Sequence, residues 1–421
     1  MQVVCENQNN KTSFSFVLFM RVAMVGWEYP PFMSGGLGVH CENLSRNLVA
    51  EGAEVDFFLP ENACRFDAGG VRLVPVRYAE AQARMGSGFV DPYRYVRREM
   101  SLVESKRDAL KLLKKRNRRK VDAYNVRLAK KIRALHKKKH YDLVHVHGRF
   151  NISSGVLVQQ LAGIPFVWTV HSTIFDEAAE QSPDSLQYAI EKVGADCADR
   201  VIAVSKRTKK QLVKRFGARA RKVSVVYNGI NYADFAVEKP RRKKRSRVLF
   251  HGRLTNQKGP RYFLLAARQY LKKYGCTARF TMSGKGHLTD YLKRLARDTH
   301  IASRVSFPGF IPQEKLAGFY ASHDAFVLPS VSEPFGITVL EAMAAGTPAV
   351  ISNTCGVGEI VHNCLRTDYW NAERIADQVH ALLSDDGLYE ELSWRGREEV
   401  RKWSWDRIAR DTLKVYGAVS K

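Results

Sequence analysis

Short, almost wholly apolar runs recur along the chain, separated by longer stretches in which apolar positions return at helical spacing. Between Arg21 and Asn231 these runs are Val22–Val25, Val55–Leu59, Leu143–Val146, Phe166–Val170, Val201–Val204 and Val223–Val226. A second series follows: Val248–Phe250, Ala278–Met282, Val305–Phe307, Ala325–Leu328 and Ala349–Ile351. Runs that are apolar throughout, instead of alternating, mark strands covered on both faces, and their alternation with helical stretches predicts parallel strands joined by crossover helices. The expected fold class is therefore α/β, with two successive doubly wound, Rossmann-like parallel-sheet domains.

Length agrees, since 421 residues exceed one ordinary core and divide into two domains of roughly 150 to 200 residues. The expected layout is an N-terminal extension over 1–20, a first domain over 21–234, a basic linker over 235–247, a second domain over 248–403 and a terminal segment over 404–421. No apolar run approaches the roughly 18 residues needed to span a bilayer, and Phe14–Met20 lacks the basic flank of a secretory signal. Seven cysteines without a Cys-x-x-Cys pair support neither a disulfide framework nor a zinc site, so a reducing cytoplasm is expected.

The net charge of +26 is the one compositional extreme, and it implies anionic ligands or surfaces. Much of it lies in a basic insert at about 104–140 and in the 235–247 linker. The insert intersperses leucines and valines with its lysines, so it reads either as a solvated helix face or as an element lying on acidic membrane. Specific nucleic-acid binding is not expected, because no zinc finger, helix-turn-helix or aromatic RNA-binding signature accompanies the charge.

Candidate chemistry collects where strands end. Ser332-Glu333-Pro334-Phe335-Gly336-Ile337-Thr338-Val339-Leu340-Glu341 crosses from the Ala325–Leu328 run into a short helix stopped by Gly346 and Pro348. It sets Glu333 and Glu341 near the crevice in which open α/β sheets bind ligands. Gly35, Gly36 and Gly38 follow the first strand and open a helix, where backbone amides can approach a phosphate. Taken alone, that loop is equally a tight turn. His145 and His147 share one face of a strand, with His147 nearer the exit, and His171 ends another. No third ligand sits at useful spacing along the chain, so no metal centre is expected. Arg253 and Lys258 follow the Val248–Phe250 run, one able to fork onto a diphosphate and the other a point charge.

The Ser332–Glu341 string resembles the Glu-x7-Glu motif of retaining glycosyltransferases with the GT-B fold, and Gly252-Arg253 with Lys258-Gly259 resembles their donor signature. Ser34–Leu44 and Thr169–Thr173 look most like the archaeal and bacterial glycogen-synthase-like branch of glycosyltransferase family 4. Gly148-Arg149-Phe150 departs from the Asp-Trp or Tyr-Trp that often follows the family's histidine.

The resemblance runs from Arg21 to Tyr416. It implies two domains facing a central cleft, with a last helix crossing back to the first domain. It implies catalytic roles for His147, Arg253, Lys258 and Glu333, and donor contacts from Gly35, Gly36, Phe335, Gly336, Ile337 and Glu341. Gly284, Gly309 and Ile311 would form the nucleobase pocket. The expected reaction is retaining, metal-independent transfer of a hexosyl group, glucosyl first, from a nucleoside-diphosphate sugar to a glycan acceptor. Cofactors are expected to be none. Transfer to a lipid-linked acceptor, with peripheral contact to anionic membrane, and a sugar-nucleotide 2-epimerase are the alternatives.

Overall fold

The structure, a computed structural model, describes residues 20–30, 36–61, 69–78, 107–108, 111, 120–238, 246–275 and 278–419. Two parallel sheets organise it. The first comprises β1 (Arg21–Val25), β2 (Glu54–Pro60), β3 (Arg72–Val76), β4 (Leu143–His147), β5 (Phe166–Val170), β6 (Arg200–Ala203) and β7 (Val223–Val225), in the order β3-β2-β1-β4-β5-β6-β7. The second comprises β8 (Arg247–His251), β9 (Arg279–Ser283), β10 (Val305–Gly309), β11 (Ala325–Leu328), β12 (Ala349–Ser352) and β13 (Leu365–Thr367), in the order β10-β9-β8-β11-β12-β13. Each reverses direction beside its first strand, β1 against β4 and β8 against β11, so each opens a crevice at its carboxyl edge.

The apolar runs become central strands because both faces are covered. β4, β5, β11 and β12 are buried along their whole lengths. Two strands escaped the pattern. β3 carries Pro75 in its middle, tolerable because β3 is a sheet edge that need not donate on its outer side. β13 is a three-residue edge strand with exposed Arg366 at its centre.

Within the segment expected to be a basic insert, Lys120–Lys139 forms the crossover helix between β3 and β4. Val121, Tyr124, Leu128 and Ile132 enter the core of the first sheet while Lys130, Lys131, Arg133, Lys137 and Lys138 face solvent. Most of 104–119, most of the 235–247 linker and residues 1–19 lie outside the described residues.

The final helix, Trp405–Gly417, packs on the first half of the chain. Trp405, Ile408, Ala409, Val415 and Tyr416 share a core with Val22, Leu44, Leu48 and Phe57. Its Tyr416 hydroxyl lies 2.6 Å from Nδ1 of His145, whose Nε2 is 2.6 Å from the Thr169 hydroxyl. No helix among the described residues is long and apolar enough to cross a membrane.

Candidate functional site

On the second sheet, the 3₁₀ turn Asn256–Lys258 directs the Lys258 ammonium onto Oε2 of Glu333, 2.5 Å away. Both groups are largely buried, and Ser330 Oγ donates to the same carboxylate oxygen at 3.4 Å. The main chain around Glu333 is clamped as well: its amide donates to Thr354 and its carbonyl accepts from Gly356. Glu333 and Lys258, singled out separately from sequence, are thus one hydrogen-bonded pair.

Three residues on, Gly336 adopts φ of 110° and starts the Ile337–Ala344 helix with no side-chain cap. First-turn amides of an uncapped helix are donors in search of an anion. Phe335 points away from this position into the core and only its main chain is available to a ligand.

Glu341 sits about one turn into that helix, 6% exposed, where burial pushes its carboxyl up to about 7 against the opposing effect of a hydrogen bond from Tyr320. The Tyr320 hydroxyl donates to Glu341 Oε2 at 2.8 Å. His251, at the end of β8, stands edge-on to Tyr320 with Nδ1 2.7 Å from Ser283 Oγ. Burial, with Lys258 adding to it, lowers the His251 imidazole to about 4. Tyr320 was not anticipated from sequence, since it lies in no motif; His251 directly precedes Gly252-Arg253, but only the sheet sets it against Tyr320.

The glycines of the expected base pocket turn out to be partly structural. At Gly284, with φ of 124°, a Cβ would stand 1.9 Å from the Gly252 carbonyl oxygen. Its amide donates to the Gly309 carbonyl at 2.7 Å, so these two groups tie the ends of β9 and β10 together. Gly309 has open space around its Cα, and Ile311 is half-buried against the second core. Arg253 is half-buried in the loop after β8.

On the first sheet, His147 ends β4 and His171 follows β5, and their Nδ1 and Nε2 atoms are 3.1 Å apart. His40, from the Gly36–Ala50 helix, stands with its ring centroid 4.5 Å from that of His171. Burial lowers His40 to about 4 against the opposing effect of its Asn228 hydrogen bond, and burial with neighbouring histidines lowers His147 and His171 well below the ordinary histidine value. The third histidine, absent at useful sequence spacing, is thus supplied by a helix a hundred residues upstream. Gly36 begins that helix, and a Cβ there would be 3.5 Å from Cδ1 of Ile337, so the two halves meet beside the Glu333 loop. Gly35 lies outside the described residues.

Residues 34–234 match the family model described as Glycosyltransferase Family 4, and residues 233–399 the one described as Glycosyl transferases group 1. An uncharacterized glycosyltransferase of Methanocaldococcus jannaschii is 32% identical over 421 residues, covering 94% of this chain and 98% of that one. The chain belongs to glycosyltransferase family 4. A glycogen synthase of Mycobacterium tuberculosis is 28% identical across 96% of this chain and 95% of its own. Among solved structures, sucrose-phosphate synthase from Thermosynechococcus elongatus superposes with a TM-score of 0.74 at 21% identity, over 95% of this chain and 98% of that one. Anabaena HepE, solved with UDP and glucose, gives 0.69 at 15% identity, over 95% of this chain and all of that one. These similarities establish the GT-B fold.

In this glycosyltransferase the halves are also joined by polar contacts that sequence reading missed. Ser332, adjoining Glu333, donates to Asp176 Oδ1 at 2.6 Å and accepts from Arg207 Nη2 at 2.9 Å. The Glu359 carboxylate, from the second half, accepts the amides of Lys206 and Arg207 at the start of the Lys206–Phe216 helix. Tyr262 and Tyr369 both donate to Glu180. Only pairs of residues 82 to 189 positions apart are involved at Glu180, so no local pattern signals them. Behind His147, Arg149 forks onto Glu177 with two bonds of 2.8 Å and reaches Glu191 through Nε. The residue that departs from the family's usual pattern is thus tied into a buried ion-pair network.

Proposed function

We propose that this glycosyltransferase moves a hexosyl group, glucosyl before others, from a nucleoside-diphosphate sugar to a glycan acceptor, with retention of anomeric configuration and no metal in the transfer step. The observation that carries this reading is the buried Lys258–Glu333 pair beside the uncapped start of the Ile337–Ala344 helix. As the bond from the anomeric carbon to the diphosphate oxygen breaks, negative charge grows on the leaving group. Arg253, Lys258 and the amides of Phe335, Gly336 and Ile337 offset it without reorganising. The chain has no Asp-x-Asp to hold a divalent ion at the diphosphate, which makes these cations the natural counter-charge.

Glu333 orients the sugar, Glu341 accepts hydrogen bonds from the ribose, and Gly36 and Gly35 approach the donor from the other half. His147 faces a sugar hydroxyl. Gly309 and Ile311 flank the base, and Gly284 holds the strand beside it. The acceptor hydroxyl attacks from the face the diphosphate leaves, its proton passing to a donor phosphate oxygen. Closure of the halves excludes water and limits hydrolysis. The glycogen synthase likeness favours a glycan acceptor, and HepE with UDP and glucose favours a uridine-type glucosyl donor.

A second reading, hexosyl transfer to a lipid-linked acceptor at a membrane surface, draws on the exposed Lys130, Lys131, Arg133, Lys137 and Lys138. Incubating the protein with a panel of nucleotide sugars, with glycan, lipid or no acceptor, separates the readings. Glycan-dependent nucleotide release is expected. Release with no acceptor points to an epimerase or hydrolase, and binding of no donor overturns transfer altogether. Liposome co-sedimentation that weakens with salt is the outcome for the membrane reading.

A further inference from the structure

We propose that His40, His147 and His171 form a three-histidine site for a divalent transition-metal cation of the zinc type, on the first-domain wall of the cleft. One ring nitrogen from each lies within 4.8 Å of the other two. They converge from three elements: the second turn of the Gly36–Ala50 helix, the last residue of β4 and the residue after β5. Two ligands at about 2.1 Å on a tetrahedral zinc ion stand about 3.4 Å apart. His147 Nδ1 and His171 Nε2 are already 3.1 Å apart, so only the His40 ring has to close.

Two further observations point to a ligand. The Nε2 atom of His40 is buried without a hydrogen-bond partner, which a folded interior rarely leaves uncompensated. His40 Nδ1 lies 2.8 Å from the Asn228 amide oxygen, which can only accept, so Nδ1 carries the proton and Nε2 presents a bare lone pair. A second-layer carbonyl fixing the tautomer of a ligating histidine is the usual support of a metal centre. His145 is excluded from the set, since both of its nitrogens are engaged by Tyr416 and Thr169. Three histidines leave a fourth position open toward the cleft, on the half-exposed side of His171.

A cation there takes the lone pairs that the transfer reading reserves for a sugar hydroxyl, so zinc inhibits the enzyme reversibly. That consequence alone rests on the transfer reading; the site does not.

The test is titration of chelator-stripped protein with Co²⁺. One equivalent is expected to give the visible bands of a four- or five-coordinate nitrogen and oxygen site, without a thiolate charge-transfer band from Cys41, and Zn²⁺ is expected to displace them. His40→Ala and His171→Ala remove the bands, and Asn228→Ala weakens affinity about 10- to 100-fold. Near-ultraviolet circular dichroism of the metal-free variants reports their folding. Spin-echo modulation of the Cu²⁺-loaded wild type counts coordinated imidazoles with no substitution at all. Absence of visible bands, bands that survive both histidine substitutions, or fewer than three imidazoles on copper overturns the proposal. Transfer by the stripped protein is read separately, and its failure bears on the function proposed above and not on this site.

Discussion

Glu341 is the residue whose environment says most about its chemistry. Its folded value of about 7 stands above the ordinary 4.5, so between those values the folded chain holds a proton that the unfolded chain has lost. The stability contributed is full below about 4.5 and disappears as pH rises through 7. Glu341→Gln should therefore raise the melting temperature relative to wild type at pH 8 and leave it little changed at pH 4, as differential scanning calorimetry can show. If the carboxylate accepts from ribose, affinity for a nucleotide sugar should improve about tenfold from pH 6 to pH 8 in wild type and stay flat in Glu341→Gln, read by calorimetric titration. Lys258 and Glu333 make the complementary case. Lys258→Ala leaves a carboxylate buried and unpaired, which should cost about 3–5 kcal/mol in denaturant unfolding, whereas Lys258→Met with Glu333→Gln should cost much less. A double variant whose cost equals the sum of its two single substitutions would show that the pair is not coupled. The carboxylates were legible in sequence through their motif; the pairing of one with Lys258 and the other with Tyr320 was not, because those partners are 75 and 21 residues away.

At the scale of elements, the apolar runs located eleven of the thirteen strands among the described residues. β3 and β13 were hidden because edge strands need not be apolar on both faces and tolerate Pro75 or Arg366. Of the two readings of the basic segment, the solvated helix face is the one Lys120–Lys139 presents. Charge dominates its composition, but the burial of Val121, Tyr124, Leu128 and Ile132 decides what Lys120–Lys139 does. Glycines at strand ends carry the geometry of the donor half. Gly284→Ala should be severe, since the new Cβ meets a carbonyl oxygen at 1.9 Å and backbone must shift. Gly309→Ala, with space around it but φ of 80°, should cost only the strain of about 1–3 kcal/mol. Urea unfolding of both variants checks the order, and a larger loss at Gly309 would contradict it.

For the molecule as a whole, two kinds of contact hold the halves together. The terminal helix contributes apolar burial, with Tyr416 placed against His145 in the first core. Tyr416→Phe leaves a buried imidazole nitrogen without its partner and should lower stability by about 1–3 kcal/mol. Ser332 is different, because it joins the halves beside the proposed reacting groups through Asp176 and Arg207. Asp176 keeps a hydrogen bond from Gln211 when Ser332 is removed. Ser332→Ala should therefore spare the melting temperature and instead alter kcat and KM together, as expected of a closure contact. A variant with unchanged kinetics would make Ser332 a bystander.

Local sequence determined the α/β class, the two-sheet layout and the family, because a buried parallel strand must be apolar at every position and a ligand loop must carry its glycines and carboxylates in a fixed short order. Tertiary structure alone decided which side chains face one another: Lys258 against Glu333, Tyr320 against Glu341, Ser332 against Asp176, and His40 beside His147 and His171. Those meetings depend on strand order and on the packing of one half against the other. Parallel sheets place neighbours through long crossovers, so residues distant in sequence become partners at the carboxyl edge without leaving any periodic trace in the chain.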